Sequence, residues 1–256
     1  MSRDLEAARG LAIELAVAAG RLQVERRGTV DIGTKAHAND LVSDVDLASE
    51  RLIVEGVSAA WAGDAILAEE GSSTPGMTGW QWVIDPLDGT RNYLTGAGPW
   101  SVSIALQQAG TTRVAVVHDP VTGETFSAVA GAGAALRGVP LEASPTTRLD
   151  EAIVGLSFNP SPATKRRMAE LMSTLLPGIG DLRRVPAALD LAYVAAGRFD
   201  AALMVDTRLW DVAAGLLIAT EAGAVADEVP GAGPDVLLAT TPALRPGLLG
   251  LVSAAG

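Results

Sequence analysis

Residues 82–93, which read WVIDPLDGTRNY, constrain the fold of this chain more than any other segment. An apolar run stops at Asp85, and Pro86 has no backbone donor, so a central strand is not expected to continue through it. Asp88 follows, and after it come Gly89 and Thr90. Gly89 permits close approach to a ligand, and Thr90 is a good helix N-cap. The segment predicts two carboxylates on a stiff turn between a buried strand and a helix start. That arrangement suits a divalent metal together with a phosphate.

The composition is that of a folded protein. The chain has 256 residues, of which 48% are hydrophobic and 19% are charged. This excludes disorder as the main state and suffices for one large domain or two small ones in close contact. No apolar stretch is long enough to cross a bilayer, and the first residues, MSRDLE, carry acids where a signal peptide carries bases. We therefore expect a soluble, cytoplasmic protein with no membrane partner.

The residue types present limit the chemistry of any metal site. There is no cysteine, and the two histidines are His37 and His118. Thiol catalysis and thiolate sites are excluded, and neither histidine is expected to be a ligand. A bound metal would need mainly oxygen ligands, which favours Mg²⁺, Mn²⁺ or Ca²⁺. The formal net charge of −11 argues against a nucleic-acid polymer as partner, because phosphate backbones need a basic face.

Apolar periodicity predicts alternating helices and strands. Helices are expected over 4–27, 43–60, 162–176, 186–196 and 209–222, with a last one near the C-terminus. Strands are expected over 65–68, 81–84, 101–106, 113–117, 124–129, 152–156 and 199–205, with another after residue 235. The order predicts a single layered α/β domain with sheets covered by helices, divided into halves 1–148 and 149–256.

Four acids stand at the ends of predicted elements, where ligands collect in layered α/β folds. Glu69, Asp85 and Asp88 follow strands, and Asp211 lies in the first turn of a helix. Glu69, Asp88 and Asp211 each have a local explanation, respectively a solvated strand end, a turn and a favourable helix dipole. A single ligand site that uses all four acids explains them together.

Four sequence blocks occur in order along the chain. They are NDLVSDVD at 39–46, LAEEG at 67–71, the segment at 82–93, and LWDVAA at 209–214 with EAG at 221–223. In these motifs and their spacing, from about residue 35 to 225, the chain resembles the inositol monophosphatase family of lithium-sensitive, Mg²⁺-dependent phosphatases. The resemblance implies a five-layer αβαβα sandwich of the inositol monophosphatase and fructose-1,6-bisphosphatase type. It also implies a homodimer and metal-dependent hydrolysis of a phosphate monoester.

The resemblance also assigns metal ligands. One Mg²⁺ would be held by Glu69, Asp85 and the Leu87 carbonyl, and a second by Asp85, Asp88 and Asp211. A third, weaker ion would use Glu69 and water. Mn²⁺ is expected to substitute for Mg²⁺, since both prefer oxygen ligands.

Further roles follow from the same resemblance. Asp46 and Thr90 would orient and help to deprotonate the attacking water, with Asp40 at the rim of the metal site. The backbone amides of Gly89 and Thr90 would face the phosphate oxygens. Lys35 is a candidate to approach the phosphate, and a solvated lysine is an equal alternative.

The substrate-binding half departs from the family pattern. Val185-Pro186 stands where the family has Gly-Ser, and Met204 stands where inositol-specific members place a hydroxyl-binding glutamate. The expected substrate contacts are Asp88, Arg91, Arg184 and the Met204 position. Asp206, Arg208 and Arg183 are alternatives to Arg184 as polar contacts. A basic residue there would suit a second anionic group, as in a bisphosphate.

The expected reaction is hydrolysis of inositol 1-phosphate or a related polyol or sugar phosphate, by in-line attack of metal-activated water. The alternatives with the same chemistry are histidinol-phosphate phosphatase, fructose-1,6-bisphosphatase and 3′-phosphoadenosine nucleotidase. The alternative of a different class is a catalytically silent regulator that binds metal or phosphate.

Overall fold

The computed structural model describes residues 3–28, 32–34, 41–229 and 235–255. The helices in these ranges are α1 (Leu5–Arg26), α2 (Asp44–Ala60), α3 (Thr90–Thr95), α4 (Pro162–Leu175), α5 (Ala187–Ala195), α6 (Leu209–Glu221) and α7 (Arg245–Ala254). The first strands are β1 (Ile32–Thr34), β2 (Leu41–Ser43), β3 (Ala65–Ala68), β4 (Trp80–Asp88), β5 (Ser101–Gln108), β6 (Thr111–Asp119) and β7 (Glu124–Val129). The others are β8 (Gly133–Leu136), β9 (Val139–Pro140), β10 (Ile153–Phe158), β11 (Asp181–Arg183), β12 (Ala201–Val205), β13 (Val225–Val229) and β14 (Val236–Thr240).

The helices α1 and α2 form the first layer. The Asp4 side chain caps α1, and Ser43 caps α2 in a capping box with Asp46. The chain leaves α1 through Gly28 at a φ of 93°, a conformation that glycine adopts without strain. The face of α1 towards the sheet carries alanines every third or fourth residue, which lets the helix pack closely: Ala8, Ala12, Ala16 and Ala19.

A seven-stranded sheet in the order β3-β4-β5-β6-β7-β8-β9 forms the second layer. The β3–β4 pair is parallel and the other pairs are antiparallel. Successive residues of β4 point to opposite faces, as expected for a strand. Trp82 packs towards α1 and α2, whereas Val83 packs towards the helices on the other face.

The expectation that Pro86 ends its strand is wrong, because β4 continues to Asp88. The pairing with β5 shifts between Asp85, which faces Ser103, and Asp88, which faces Ser101. One extra residue is thus accommodated in β4, and the missing proline N–H falls inside this bulge.

The remaining layers are built from the second half of the chain. The helices α5 and α6 pack on the seven-stranded sheet and, on their other side, on a five-stranded sheet in the order β11-β10-β12-β14-β13. The helices α4 and α7 cover the outer face of that second sheet. The five-layer αβαβα arrangement expected from the sequence is therefore confirmed.

Several short elements were not expected from the sequence. They are the two-stranded β1–β2 sheet, the strand β8, and the edge strands β9, β11 and β13. The start of α3 also differs, because Gly89 rather than Thr90 is the N-cap, at a φ of 95°. Among the described residues, no helix has the length and apolar character needed to span a membrane.

Candidate active site

The turn from Asp85 to Gly89 lies where β4 meets α3. The Asp85 side chain is buried, and its Oδ1 accepts a hydrogen bond of 3.0 Å from the Leu87 backbone N–H. The Oδ2 of Asp88 accepts one of 2.8 Å from the backbone N–H of Ala188, in the first turn of α5. Asp88 therefore joins the edge of the first sheet to a helix of the middle layer.

Two other acids reach the same place from different elements. Glu69 follows β3, where its backbone N–H donates to the Ile84 carbonyl at 3.2 Å. Asp211 lies in the first turn of α6, and its Oδ2 accepts a hydrogen bond of 2.7 Å from the Arg208 backbone N–H. The sequence thus correctly placed these acids at element ends.

Electrostatics shows that the four acids form one cluster. Burial raises the pKa of the Asp85 carboxyl well above its ordinary value, and the charges of Glu69, Asp88 and Asp211 raise it further. Burial and the charge of Asp211 raise the pKa of Asp88 to about 8. Buried carboxylates that repel one another in this way require protons or cations to compensate them.

The donor set fits a divalent metal of the Mg²⁺ type, which prefers hard carboxylate and carbonyl oxygens. Within the described ranges, no three His, Cys, Asp or Glu side chains already stand in the arrangement of a formed metal centre. The mutual repulsion of Asp85, Asp88, Asp211 and Glu69 is therefore the observation that indicates a cation site here.

Asp46 and Thr90 are in contact, although 44 residues separate them. The Thr90 hydroxyl donates to Asp46 Oδ1 at 2.9 Å and also lies 3.3 Å from the Leu87 carbonyl oxygen. The other Asp46 oxygen accepts from the backbone N–H of Ser43 at 2.8 Å. Burial raises the pKa of Asp46, and the hydrogen bonds from Ser43 and Thr90 lower it in part.

A cavity of about 450 Å³ opens over the acidic cluster. Its lining includes three of the acids: Glu69, Asp88 and Asp211. It also includes Gly89 and the arginines Arg91, Arg184 and Arg208. The size suits a small phosphorylated metabolite, since ligand pockets usually have about 300–1,000 Å³.

Two predicted features of the substrate half have different outcomes. Val185 and Pro186 line the cavity, and Pro186 lies so close to Gly89 that a Cβ at Gly89 would be 2.8 Å from its Cγ. Met204 does not line the cavity, so the expectation that it contacts substrate is wrong. Met204 lies on β12 and is fully buried, and its apolar side chain packs with Leu191 of α5 and Val212 of α6.

Sequence reasoning missed several residues of the site. Ser157 and Asn159 line the cavity at the end of β10. The Ser157 hydroxyl lies 2.8 Å from Oδ2 of Asp190, a buried acid whose pKa burial raises well above its usual value. A polar pair at the end of an apolar strand was the available signal for Ser157 and Asn159. Asp190, which lies in the first turn of α5, was not singled out from the sequence.

Some candidates have no place in the described site. Lys35, His37 and Asp40 lie outside the described residues. His118 is buried against α1 and β7, where its Nδ1 is 2.9 Å from the Thr125 hydroxyl oxygen. Burial lowers its pKa. His118 is therefore part of the packing between β6, β7 and α1.

Comparison with known proteins agrees with the motifs and the fold. A sequence profile described as the inositol monophosphatase family matches residues 2–248. The chain is 38% identical to "Nus factor SuhB" of Escherichia coli K12 over 229 residues, which are 86% of this chain and 85% of that protein.

Two solved structures extend the comparison. The extragenic suppressor protein suhB of Bartonella henselae superimposes with a TM-score of 0.90 at 30% identity, covering 96% of this chain and 98% of that one. Inositol monophosphatase-II of Staphylococcus aureus, solved with inositol monophosphate bound, gives 0.79 at 27% identity, covering 95% and 92%. The same enzyme was also solved with 2′AMP bound. With the profile match, the relatives and the shared layered fold, this chain belongs to the inositol monophosphatase family.

Proposed function

We propose that this protein is a Mg²⁺-dependent phosphomonoesterase acting on a small polyol or sugar phosphate, inositol 1-phosphate included. The observation that carries the proposal is the cluster of four neighbouring acids, Glu69, Asp85, Asp88 and Asp211, beside the cavity. Family membership supports the same reaction class.

The proposed metal ligands follow the family pattern. Glu69, Asp85 and the Leu87 carbonyl would hold one ion, and Asp85, Asp88 and Asp211 a second, with a third, weaker ion on Glu69 and water. Bound Mg²⁺, or Mn²⁺ in its place, would supply Lewis-acid activation of water for in-line attack and stabilise the departing oxygen.

The protein's own residues prepare the nucleophile. The Thr90 hydroxyl donates its hydrogen bond to Asp46. The Thr90 oxygen is therefore left to accept a hydrogen bond from a water molecule. Asp46 can then take up the proton that the water passes through this hydroxyl. Burial raises the pKa of Asp46, which makes its carboxylate a stronger base. Glu69, which lines the cavity, completes the proposed catalytic group.

Phosphate binding would use the turn that follows Asp88. Gly89 lines the cavity, and the chain enters α3 at Thr90, so the backbone amides of these two residues are proposed to face the phosphate oxygens. Gly89 permits that approach because it has no Cβ. Asp88, Arg91 and Arg184 are proposed to contact the alcohol portion of the substrate.

A panel of phosphate esters tests the proposal. The purified protein is incubated with Mg²⁺ and inositol 1-phosphate, histidinol phosphate, fructose 1,6-bisphosphate or 3′-phosphoadenosine 5′-phosphate, and released phosphate is measured. We expect Mg²⁺-dependent turnover of at least one of them and inhibition by Li⁺. Absence of phosphate release from every monoester tested would refute the proposal.

The second candidate is a catalytically silent regulator that binds metal or phosphate. It is favoured by one observation, the name "Nus factor SuhB" carried by the E. coli relative. Calorimetric Mg²⁺ binding without turnover of any ester would select the regulator, whereas binding with turnover would select the enzyme.

The assembly and setting of the protein are also proposals. We propose a single-domain, cytoplasmic homodimer in which residues 1–148 carry most of the metal site and residues 149–256 carry the substrate pocket. Light scattering after size-exclusion chromatography tests the dimer, and a monomeric mass would contradict it.

A further inference from the structure

Gln23 is a fully buried polar residue of α1 that reaches the acidic turn. Its Nε2 donates hydrogen bonds to the Pro86 carbonyl at 2.7 Å and to the Ser49 hydroxyl oxygen at 3.1 Å. Its Oε1 accepts one of 2.9 Å from the Trp100 indole N–H. The Gln23 backbone carbonyl accepts another of 2.9 Å from the Tyr93 hydroxyl.

These partners fix the orientation of the Gln23 amide. The Pro86 carbonyl can only accept, and the Trp100 indole N–H can only donate. A flipped amide would place Oε1 against the Pro86 carbonyl oxygen and Nε2 against the Trp100 N–H, so neither bond could form. Both Nε2 hydrogens and the Oε1 atom are used. Gln23 is fully buried, which makes each of these bonds costly to lose.

The bond to Pro86 acts on the residues that carry the proposed metal ligands. Pro86 lies between Asp85 and Leu87, and its ring already fixes its φ. Holding its carbonyl fixes the plane of the next peptide, whose N–H belongs to Leu87. That N–H donates to Asp85 Oδ1. Rotation of this peptide would therefore disturb the Asp85 carboxylate and the path of the chain to the Leu87 carbonyl.

A second contact holds the other acidic turn from α2. Glu50 is buried and lies next to Ser49, the hydroxyl partner of Gln23. Its Oε2 accepts from the Glu70 backbone N–H at 2.7 Å, and its Oε1 accepts from that of Ser72 at 3.0 Å. The segment that follows Glu69 is thereby tied to the same helix layer.

We propose that Gln23 and Glu50 are positioning residues that hold the turns at 85–88 and 69–72 in the geometry required for metal binding. The inference rests on the proposed function. It assigns part of the metal affinity to two residues of the first helix layer, neither of which lines the cavity. Loss of such an outer hydrogen-bond partner typically weakens metal binding by about 10- to 100-fold.

Two variants, each with a matched control, test the inference. Gln23→Leu keeps the size of the side chain and removes the bonds to Pro86, Ser49 and Trp100. Its control is Gln107→Leu, because Gln107 on β5 is also buried and its Nε2 donates to Thr112 Oγ1 on β6, a residue of neither acidic turn. Glu50→Gln removes one of two acceptors. Its control is Glu221→Gln, whose two oxygens accept from Gly131 and Gly133 at 2.7 and 2.8 Å.

The dissociation constant for Mg²⁺ is measured by calorimetry, with folding verified by circular dichroism. We expect an increase of about tenfold for Gln23→Leu and a smaller one for Glu50→Gln, with both controls close to wild type. At saturating Mg²⁺, the KM for glycerol 2-phosphate should stay within about twofold, because neither residue lines the cavity.

The outcomes separate this inference from the proposed function. Wild-type protein that binds no Mg²⁺ refutes the proposed function itself. Wild-type binding together with unchanged affinity in both Gln23→Leu and Glu50→Gln overturns the positioning role alone. Equal weakening in the controls also overturns it, because general destabilisation would then be the cause. If Gln23→Leu does not fold, Glu50→Gln and its control decide the question.

Discussion

Arg184 shows how a single residue shapes the cavity. Its guanidinium carbon lies 4.2 Å from the centre of the Phe158 ring, so one face of the group is covered by an aromatic surface. The N–H donors lie in the guanidinium plane and are not consumed by this stacking. Burial lowers the pKa of Arg184, Asp190 partly offsets that effect, and the like charge of Arg91 adds to it. With Arg208, these two arginines line one cavity, and three cations there favour an anionic group on the substrate.

We expect Arg184→Met to reduce the preference for substrates with a second anionic group. The measurement compares kcat/KM for 2-phosphoglycerate with that for glycerol 2-phosphate, which differ by a carboxylate. The ratio should fall by roughly tenfold, the value of a charge-assisted hydrogen bond. Arg166→Met, an exposed change of equal charge on α4, is the control and should leave the ratio at the wild-type value. An unchanged ratio in Arg184→Met would exclude Arg184 from substrate selection.

The sequence identified the acids of the site but not the groups that hold them. Glu69, Asp88 and Asp211 were recognisable because they stand at the ends of predicted elements, where ligands collect in layered α/β folds. Gln23 was not, since its partner Pro86 is 63 residues away and only the fold brings them together. Met204 was misassigned for the same reason, because its position in a strand did not reveal which layer its side chain faces.

The strand β4 illustrates what periodicity can and cannot predict for an element. Its apolar core was evident, but the bulge that carries it past Pro86 depends on pairing with β5. The edge strand β13 was missed because Asp227 and Glu228 disfavour a strand, and pairing with β14 overrides that tendency. Helix limits were predicted more closely, since caps such as Ser43 and Ser161 are visible in the sequence.

The N-terminal end of α1 is held by a second polar cluster. Arg3 pairs with Asp64 and lies between the Trp61 and Trp80 rings, at 4.3 and 4.6 Å from their centres. Asp64 also accepts from the Trp82 indole N–H at 3.0 Å. Burial alone would raise the pKa of Asp64, but hydrogen bonds from Arg3 and other neighbours outweigh it and hold the pKa below its ordinary value.

This cluster predicts a stability change that depends on pH. A carboxyl group whose pKa is lowered by folding stabilises the protein above its unfolded pKa of about 3.9, and that stabilisation is lost as pH falls through the lower, folded value. Asp64→Asn should therefore lower the midpoint of thermal unfolding at pH 7. Below pH 4, the midpoint of the variant should decrease less with falling pH than that of the wild type. Melting curves of the two proteins between pH 3 and 7 test this. Parallel curves would show that the charge of Asp64 contributes nothing.

At the scale of the whole molecule, the site lies where the layers meet. The first sheet supplies Asp85 and Asp88, while α5 and α6 of the middle layer supply the Ala188 N–H and Asp211. Packing of the two halves against each other therefore concentrates negative charge that neither half would concentrate alone. A bound cation would relieve the resulting repulsion.

This repulsion predicts how Mg²⁺ affects the stability of the whole protein. The folded carboxyls of Asp85 and Asp88 keep their protons above the pH at which unfolded carboxyls lose them, about 3.9. The contribution of these groups to folding stability therefore falls as pH rises from about 4 towards 8. We expect Mg²⁺ to raise the unfolding midpoint more at pH 8.5 than at pH 5.5, with EDTA as reference. An equal or smaller rise at pH 8.5 would contradict the clustered-acid account.

The most direct test of the central claim is Mg²⁺-dependent phosphate release by Asp88→Asn. The asparagine carbonyl can still accept the Ala188 hydrogen bond, so the fold should persist while the metal ligand loses its charge. Asp150→Asn, an exposed change at the start of the second half, is the control. We predict that Asp88→Asn lowers kcat/KM by about a hundredfold or more, as loss of a group that stabilises transition-state charge does. Asp150→Asn should leave kcat/KM at the wild-type value. Full activity of Asp88→Asn on the best ester of the panel would contradict the account.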